Sequence, residues 1–334
     1  MNALVTGATG FLGSHLAKAL AQRGYNVRAL VRNTSKLSRL QGQDIENVEG
    51  NLLDIDSLKK ATSGQNIVFH NAGIVNEWGK RETFYKVNVD GAKNLLEACL
   101  ASGIKRFVHT SSVTVLGKPC GKSPMDETFP YTERYFEFYT ETKILSEKVV
   151  LDYYNKEKLP VTVIRPGIIW GPGDTTILPR LERLTRKGFV FNMGKGNNVL
   201  CLSYVSNVVE GLILAAESPV AIGQIYHITD DEKITSQTFF TELTKIMGLH
   251  PPTISIPFSV LYATAYIWET LAKSMKLSKP PLITRYGVCL LGYDFNYDIS
   301  KAKRELGYSP KTSFKEGMEN IARWYKNERL ISKG

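Results

Sequence analysis

Tyr139 and Lys143, in the segment Tyr-Thr-Glu-Thr-Lys, stand four residues apart, which on a helix places them one turn apart on one face. That pairing has a chemical use. A phenol with an ordinary pKa of about 10 is too weak a base near pH 7, and a neighbouring ammonium stabilises its phenolate and brings it towards the working range. The same ammonium can hydrogen-bond the ribose of a nicotinamide nucleotide. Ser112, just beyond the apolar run Arg106-Phe107-Val108-His109-Thr110, can donate a hydrogen bond to a substrate oxygen where charge develops. Tyr131 and Tyr135 have no lysine four residues on, so aromatic richness alone does not create the pair.

A second constellation lies near the start. Thr6-Gly7-Ala8-Thr9-Gly10-Phe11-Leu12-Gly13 follows the apolar run Ala3-Leu4-Val5 and leads into a segment of helical periodicity, so its glycines fall between a strand and a helix. Gly7 permits the tight turn, Gly10 lets the backbone approach a pyrophosphate, and Gly13 allows close helix packing. The helix start adds free N–H groups and a positive dipole end. The second strand, Asn26 to Arg32, ends in Val31-Arg32-Asn33-Thr34-Ser35-Lys36. An acidic residue there suits an adenosine ribose and an Arg suits a 2′-phosphate. With no carboxylate and two cations, Arg32 and Lys36, the tip predicts NADP(H) in preference to NAD(H), against the plainer reading of a solvated surface Arg.

The elements needed to position these residues recur along the chain. Apolar strands at Val48, Ile67–His70, Arg106–Thr110 and Val161–Arg165 alternate with helices around Leu58, Val87–Cys99 and 133–156, the signature of a doubly wound parallel sheet. Asn71-Ala72-Gly73 and Pro166-Gly167 close two of these strands at their ligand-facing ends. A polar loop spans 118–130. After Asp174 the alternation loosens into a helix at 178–187, a hairpin through Gly194–Asn198, a helix at 206–216, a strand at 224–228, an apolar and aromatic helix from Pro257 to Leu277, and two C-terminal helices. The 257–277 stretch reads as a buried or lid helix, or, with Lys273, Lys276 and Lys279 at its end, as an interfacial membrane helix.

With 334 residues, 43% of them apolar, the chain can build a large core. Its net charge of +10 is scattered, which favours an anionic cofactor over nucleic acid. Cys99, Cys120, Cys201 and Cys289 lack metal-ligand spacing, as do the five histidines, so no metal is expected and the cysteines read as free thiols in a reducing compartment. With no leader before the first strand and no apolar window of spanning length, a cytoplasmic protein without a membrane span is expected.

Together these features resemble the extended short-chain dehydrogenase/reductase superfamily, of the epimerase/dehydratase type, over nearly the whole chain. The resemblance rests on the turn Gly7–Gly13, on Ser112, Tyr139 and Lys143, on Asn88-Val89-Asp90-Gly91, on Gly50-Asn51-Leu52-Leu53-Asp54, where Asn51 replaces the usual aspartate, and on Arg165-Pro166-Gly167-Ile168. Leu30-Val31-Arg32, Tyr226–Asp230 and Asp298–Ala302 are most similar to the 3β-hydroxysteroid dehydrogenase and dihydroflavonol-reductase branch. The resemblance implies a Rossmann α/β fold, with 1–170 forming the dinucleotide-binding domain (returning near 199–228 and 288–299) and 171–198, 229–287 and 300–334 a smaller substrate-binding portion. It implies hydride transfer between nicotinamide and a secondary alcohol or ketone. Ser112, Tyr139 and Lys143 would be catalytic. The cofactor would be held by Gly7, Thr9, Gly10, Phe11, Leu12, Gly13, Arg32, Lys36, Asn51, Leu52, Asn71, Ala72, Gly73, Asn88, Thr110, Tyr139, Lys143, Pro166, Gly167 and Ile168. A hydrophobic, sterol-like or polyprenyl-like small-molecule substrate is expected, with peripheral membrane association possible and a homodimer through helices around Ala92 and Ser146. Two further readings stand beside this one: a nucleotide-sugar epimerase that retains NAD(P), and a non-catalytic NADP-sensing regulator. Val113-Thr114 in place of acidic residues disfavours a dehydratase.

Overall fold

Strand β1 (Asn2–Thr6) is buried on both faces, and its pleat sends Ala3 and Val5 into one hydrophobic core and Leu4 into another. It sits near the middle of a seven-stranded parallel sheet with β2 (Asn26–Val31), β3 (Ile45–Glu49), β4 (Ile67–His70), β5 (Arg106–Thr110), β6 (Val161–Pro166) and β7 (Ile225–Ile228). The strand order is β7-β6-β5-β4-β1-β2-β3, so the winding reverses between β1 and β4. This is the doubly wound Rossmann architecture expected from the alternation. The computed structural model describes residues 1–32, 34–119, 124–133, 135 and 137–331; the side chains of 34–36 and 328–331 are outside that description, as are Cys120, part of the 118–130 loop and the Lys36 side chain offered to a 2′-phosphate.

Helices cover both faces. Leu16 and Leu20 of α1 (Phe11–Gln22) share one core with Val208 and Leu212 of the helix Val205–Glu217; Leu58 of α2 (Ile55–Thr62), Leu95 of α3 (Gly91–Ala101) and Val150 of α4 (Phe138–Glu157) fill the other. α4 starts at Phe138, five residues later than its periodicity suggests. The reason is local: the Glu137 carboxylate accepts from the Thr140 N–H at 3.2 Å and caps the first turn. Ahead of α3, residues Tyr85–Asp90 form a π-helical segment rather than the α-helical turn expected from Val87.

The hairpin expected through Gly194–Asn198 does not form. Gly194 and Gly196 do turn the chain, with φ of +58° and +72°, but the arms pair elsewhere: Phe191–Met193 runs parallel to Ile254–Ile256, and Val199–Leu200 antiparallel to Ile234–Thr235. The 257–277 stretch forms α5 (Phe258–Ser274) followed by α6 (Arg285–Gly292), and the two pack on each other. Among the described residues no helix is long and apolar enough to cross a membrane.

Candidate active site

The carboxyl ends of β1, β4, β5 and β6 bring Gly7, Asn71, Ser112 and Gly167 to one edge of the sheet, beside its topological switch. At Gly7, φ is +68° and a Cβ would lie 2.9 Å from Ala72 backbone; on Gly13 it would lie 2.1 Å from the Gly7 carbonyl oxygen, so neither position takes a side chain. α1 begins behind exposed Gly10 with no side-chain cap and no acid in its first turn, which leaves its leading N–H groups for an anion. Thr9 is half-buried, and the Leu12 side chain is in the core, which leaves only its backbone to offer a nucleotide. Phe11 packs edge-on to His15, whose Nε2 donates to the Pro172 carbonyl at 2.9 Å and ties the start of α1 to the 171–174 loop.

At the next strand, the Thr6 hydroxyl receives the Ala72 N–H at 3.2 Å and bonds His70 Nδ1 at 2.9 Å. Asn71 Oδ1 accepts from the Thr110 hydroxyl at 2.5 Å, while its buried Nδ2 has no partner, an orphaned donor of the kind a bound nucleotide satisfies. Asn88, expected at the cofactor, engages its amide within the chain: Oδ1 accepts from Ile74 N at 2.7 Å, and Nδ2 donates to the Ile74 carbonyl and to Thr142 Oγ1 at 3.2 and 3.0 Å. The π-helical segment turns it inward, where it clamps the loop carrying Gly73 onto α4. Asn51 Oδ1 closes an Asx turn on Leu53 N at 3.1 Å, and Leu52 is a core residue against Gly91. Arg32 is exposed at the tip of β2, with no ion pair among the described residues. Pro166 ends β6; Gly167 N donates to Ser203 Oγ at 2.8 Å and Ile168 N to the Cys201 carbonyl at 2.7 Å, where a Cβ on Gly167 would collide at 2.4 Å.

Ser112, Tyr139 and Lys143 are all buried at the same edge. Lys143 Nζ donates to the Thr110 carbonyl at 2.7 Å and lies 6.0 Å from the centroid of the Tyr139 ring. Burial lowers its pKa to about 8, so it carries its charge at neutral pH. Burial also pushes the Tyr139 phenol up to about 12; hydrogen bonding to Ser112 opposes the rise and the Glu137 carboxylate adds to it. Desolvation is the largest influence on the phenol here, and the Lys143 ammonium is anchored on the Thr110 carbonyl. At neutral pH the site holds a protonated phenol near a cation.

The 3-beta hydroxysteroid dehydrogenase/isomerase family model matches residues 4–258, which include this entire constellation. The chain belongs to that family. It is 31% identical over 331 residues to the 2-alkyl-3-oxoalkanoate reductase of Shewanella oneidensis, covering 96% of this chain and 85% of the relative, and 33% identical to the human decarboxylating sterol-4-alpha-carboxylate 3-dehydrogenase, covering 98% and 89%. Among solved structures it matches gox2253 with a TM-score of 0.81 at 32% identity, over 98% of both chains, and MoeE5 in complex with UDP-glucose and NAD with a TM-score of 0.77 at 25% identity, over 98% and 100%. This member of the 3β-hydroxysteroid dehydrogenase family is an NAD(P)-dependent oxidoreductase.

Two groups at its site escape sequence reasoning. Thr114 donates to Ser112 Oγ from both its N–H (3.3 Å) and its hydroxyl (3.0 Å), so the Ser112 hydroxyl proton is left to point outward. Only the Ser-x-Thr spacing signals it. Glu137 is buried, bonds the Thr140 hydroxyl, and has its pKa raised to about 7 by burial. Since its folded pKa exceeds the unfolded value of about 4.5, the folded state retains a proton that the unfolded state releases, and stability declines as pH rises from 4.5 to 7. Glu137→Gln keeps the cap and removes that decline, so urea denaturation at pH 8 should find it more stable than the wild type by about 3 kcal/mol, and near-equal at pH 4.5. In the alcohol-oxidation direction, where a phenolate is needed, the limb on which the Glu137→Gln rate rises with pH should move to lower pH, because the charge that adds to the rise of the Tyr139 phenol is gone.

Proposed function

We propose that this enzyme reduces the ketone of an apolar substrate to a secondary alcohol with NADPH, reversibly, using Tyr139 as proton donor. The observation that carries this reading is the burial of Ser112, Tyr139 and Lys143 together at the carboxyl edge of the sheet, with the Lys143 Nζ held by the Thr110 carbonyl at 2.7 Å and lying 6.0 Å from the centroid of the Tyr139 ring. The glycine cradle, the uncapped start of α1 and the orphaned Asn71 amide fit a dinucleotide, whose nicotinamide ring supplies the hydride when bound. Ser112, its oxygen already accepting from Thr114, donates to the carbonyl oxygen; Tyr139 passes its proton to that oxygen as charge develops there. Lys143 contributes positive charge and an N–H donor towards the ribose, held in place by Thr110.

Arg32 supports NADP over NAD. Arg32→Glu should lower kcat/KM for NADPH by about 10- to 100-fold while changing that for NADH less than about threefold, read by steady-state kinetics with both cofactors. Equal losses with both would remove the preference. The apolar substrate is supported by relatives named for alkyl-oxoalkanoate, sterol and, in Stigmatella aurantiaca, farnesylated quinoline substrates. Segments 171–198, 229–287 and 300–334 would select among such molecules. Turnover of nucleotide sugars alone, with none of a panel of hydrophobic ketones, would overturn this reading and favour an epimerase that keeps its cofactor through gel filtration. The resemblance also carries a homodimer; Ala92 and Ser146 are themselves buried within the chain, so the outer faces of α3 and α4 would form it.

A further inference from the structure

We propose that the outer face of α5 docks this enzyme on an anionic membrane surface. On most of the molecule large apolar side chains are covered, yet Val260, Ile267 and Leu271, at helical spacing along one face of α5, and Met275 just past its end are 52%, 56%, 54% and 67% exposed, and Tyr266 beside them 54%. Ala263, Ser259, Thr270 and Ser274 complete that face, so no charge interrupts it. The seventeen residues make a rod about 26 Å long. Its opposite face, Leu261, Ala265 and Ala272, is buried.

Charge chooses the occupant. From 251 to 284 the chain has one acidic residue, Glu269, and three lysines, Lys273, Lys276 and Lys279. Glu269 is turned inward, accepting from Arg285 N at 2.7 Å and Arg285 Nε at 2.8 Å, while all three lysines are exposed at the end of the apolar stripe. An apolar face with a basic end fits acyl chains beneath anionic headgroups, and the protein's net charge of +10 acts in the same sense. Trp78, from the loop after β4, reaches the same end: its Nε1 donates to the Leu277 carbonyl at 3.0 Å and Lys273 Nζ lies 5.9 Å over its ring, an amphipathic pairing suited to a membrane boundary. Glu269 and the helix length restrict α5 to lying on the surface. It packs on α6. The docking stands on the exposed face and its charges, whatever the substrate proves to be.

The test is flotation of the purified full chain with vesicles at about 1 mM lipid, either pure phosphatidylcholine or roughly one-third phosphatidylglycerol, alongside sedimentation equilibrium without lipid. The wild type should float with the anionic vesicles, and Ile267→Ser with Leu271→Ser should lower the bound fraction at least about fivefold while leaving the far-ultraviolet circular dichroism and the urea-unfolding midpoint unchanged. Replacing Lys273, Lys276 and Lys279 by Gln should abolish the preference for anionic over neutral vesicles. The proposal fails if no vesicle is bound, if the double serine variant floats like the wild type, or if the wild type is instead a dimer that the same serines dissociate, in which case a second copy covers the face.

Discussion

Replacing Tyr139 with phenylalanine should lower kcat for ketone reduction by about 10³-fold while leaving the dissociation constant for NADPH within about threefold of the wild type. The magnitude follows from what the ring keeps and loses. Phenylalanine preserves the packing at the start of α4 and removes only the phenol hydroxyl. The proposed proton donor is then gone, and no other acid takes its place readily: Lys143 is bonded to the Thr110 carbonyl, and Glu137 faces the Thr140 N–H and hydroxyl. Residual turnover would come from Ser112 and from proximity alone. Stopped-flow measurement of NADPH oxidation, with cofactor binding followed separately by fluorescence, makes the split visible. A variant that retained near-wild-type kcat would show that the proton comes from elsewhere, and one that lost cofactor binding to the same extent would show that the phenol serves binding.

The largest effect on stability is expected at Glu147. This carboxylate is fully buried on α4, accepts from Ser111 Oγ at 2.6 Å and from the Tyr131 hydroxyl at 2.9 Å, and takes Arg165 Nε at 3.1 Å and Nη2 at 2.5 Å. It joins the ends of β5 and β6 to the helix that carries Tyr139 and Lys143. Arg165 is 2% exposed, and its Nη1 has no hydrogen-bond partner even with the pair intact. Glu147→Ala would therefore strand a buried guanidinium, and urea denaturation should show a loss of about 3 to 5 kcal/mol. The double variant Glu147→Met with Arg165→Met should recover most of that loss, because a buried ion pair exchanged for apolar groups of similar volume is often nearly neutral. The exposed pairs Lys156–Asp152 and Arg186–Glu182 offer the contrast, each contributing at most about 0.5 kcal/mol. A loss below about 1 kcal/mol in Glu147→Ala would mean that water reaches Arg165, and the pair would then not be what holds α4 to the sheet.

Local chemistry made the fold and the outline of the site legible in the sequence. Apolar runs buried on both faces signal parallel strands, glycines between strand and helix signal an anion-binding turn, and a Tyr and Lys four residues apart meet on any helix; none of these depends on what lies across the sheet. Other features were decided in three dimensions. Asn88 bonds Ile74 and Thr142 from a π-helical segment that no local pattern signals. The arms around Gly194–Asn198 found partners some 35 to 60 residues away, outweighing the turn between them. Glu137 could not be seen as a titrating group until α4 had buried it, nor could desolvation be seen as the largest influence on the Tyr139 phenol. Periodicity and turn chemistry act over a few residues and are written in the chain; burial and pairing depend on which distant segments arrive, and those determine which of the legible residues hold protons, which hold the backbone, and which remain open to a ligand.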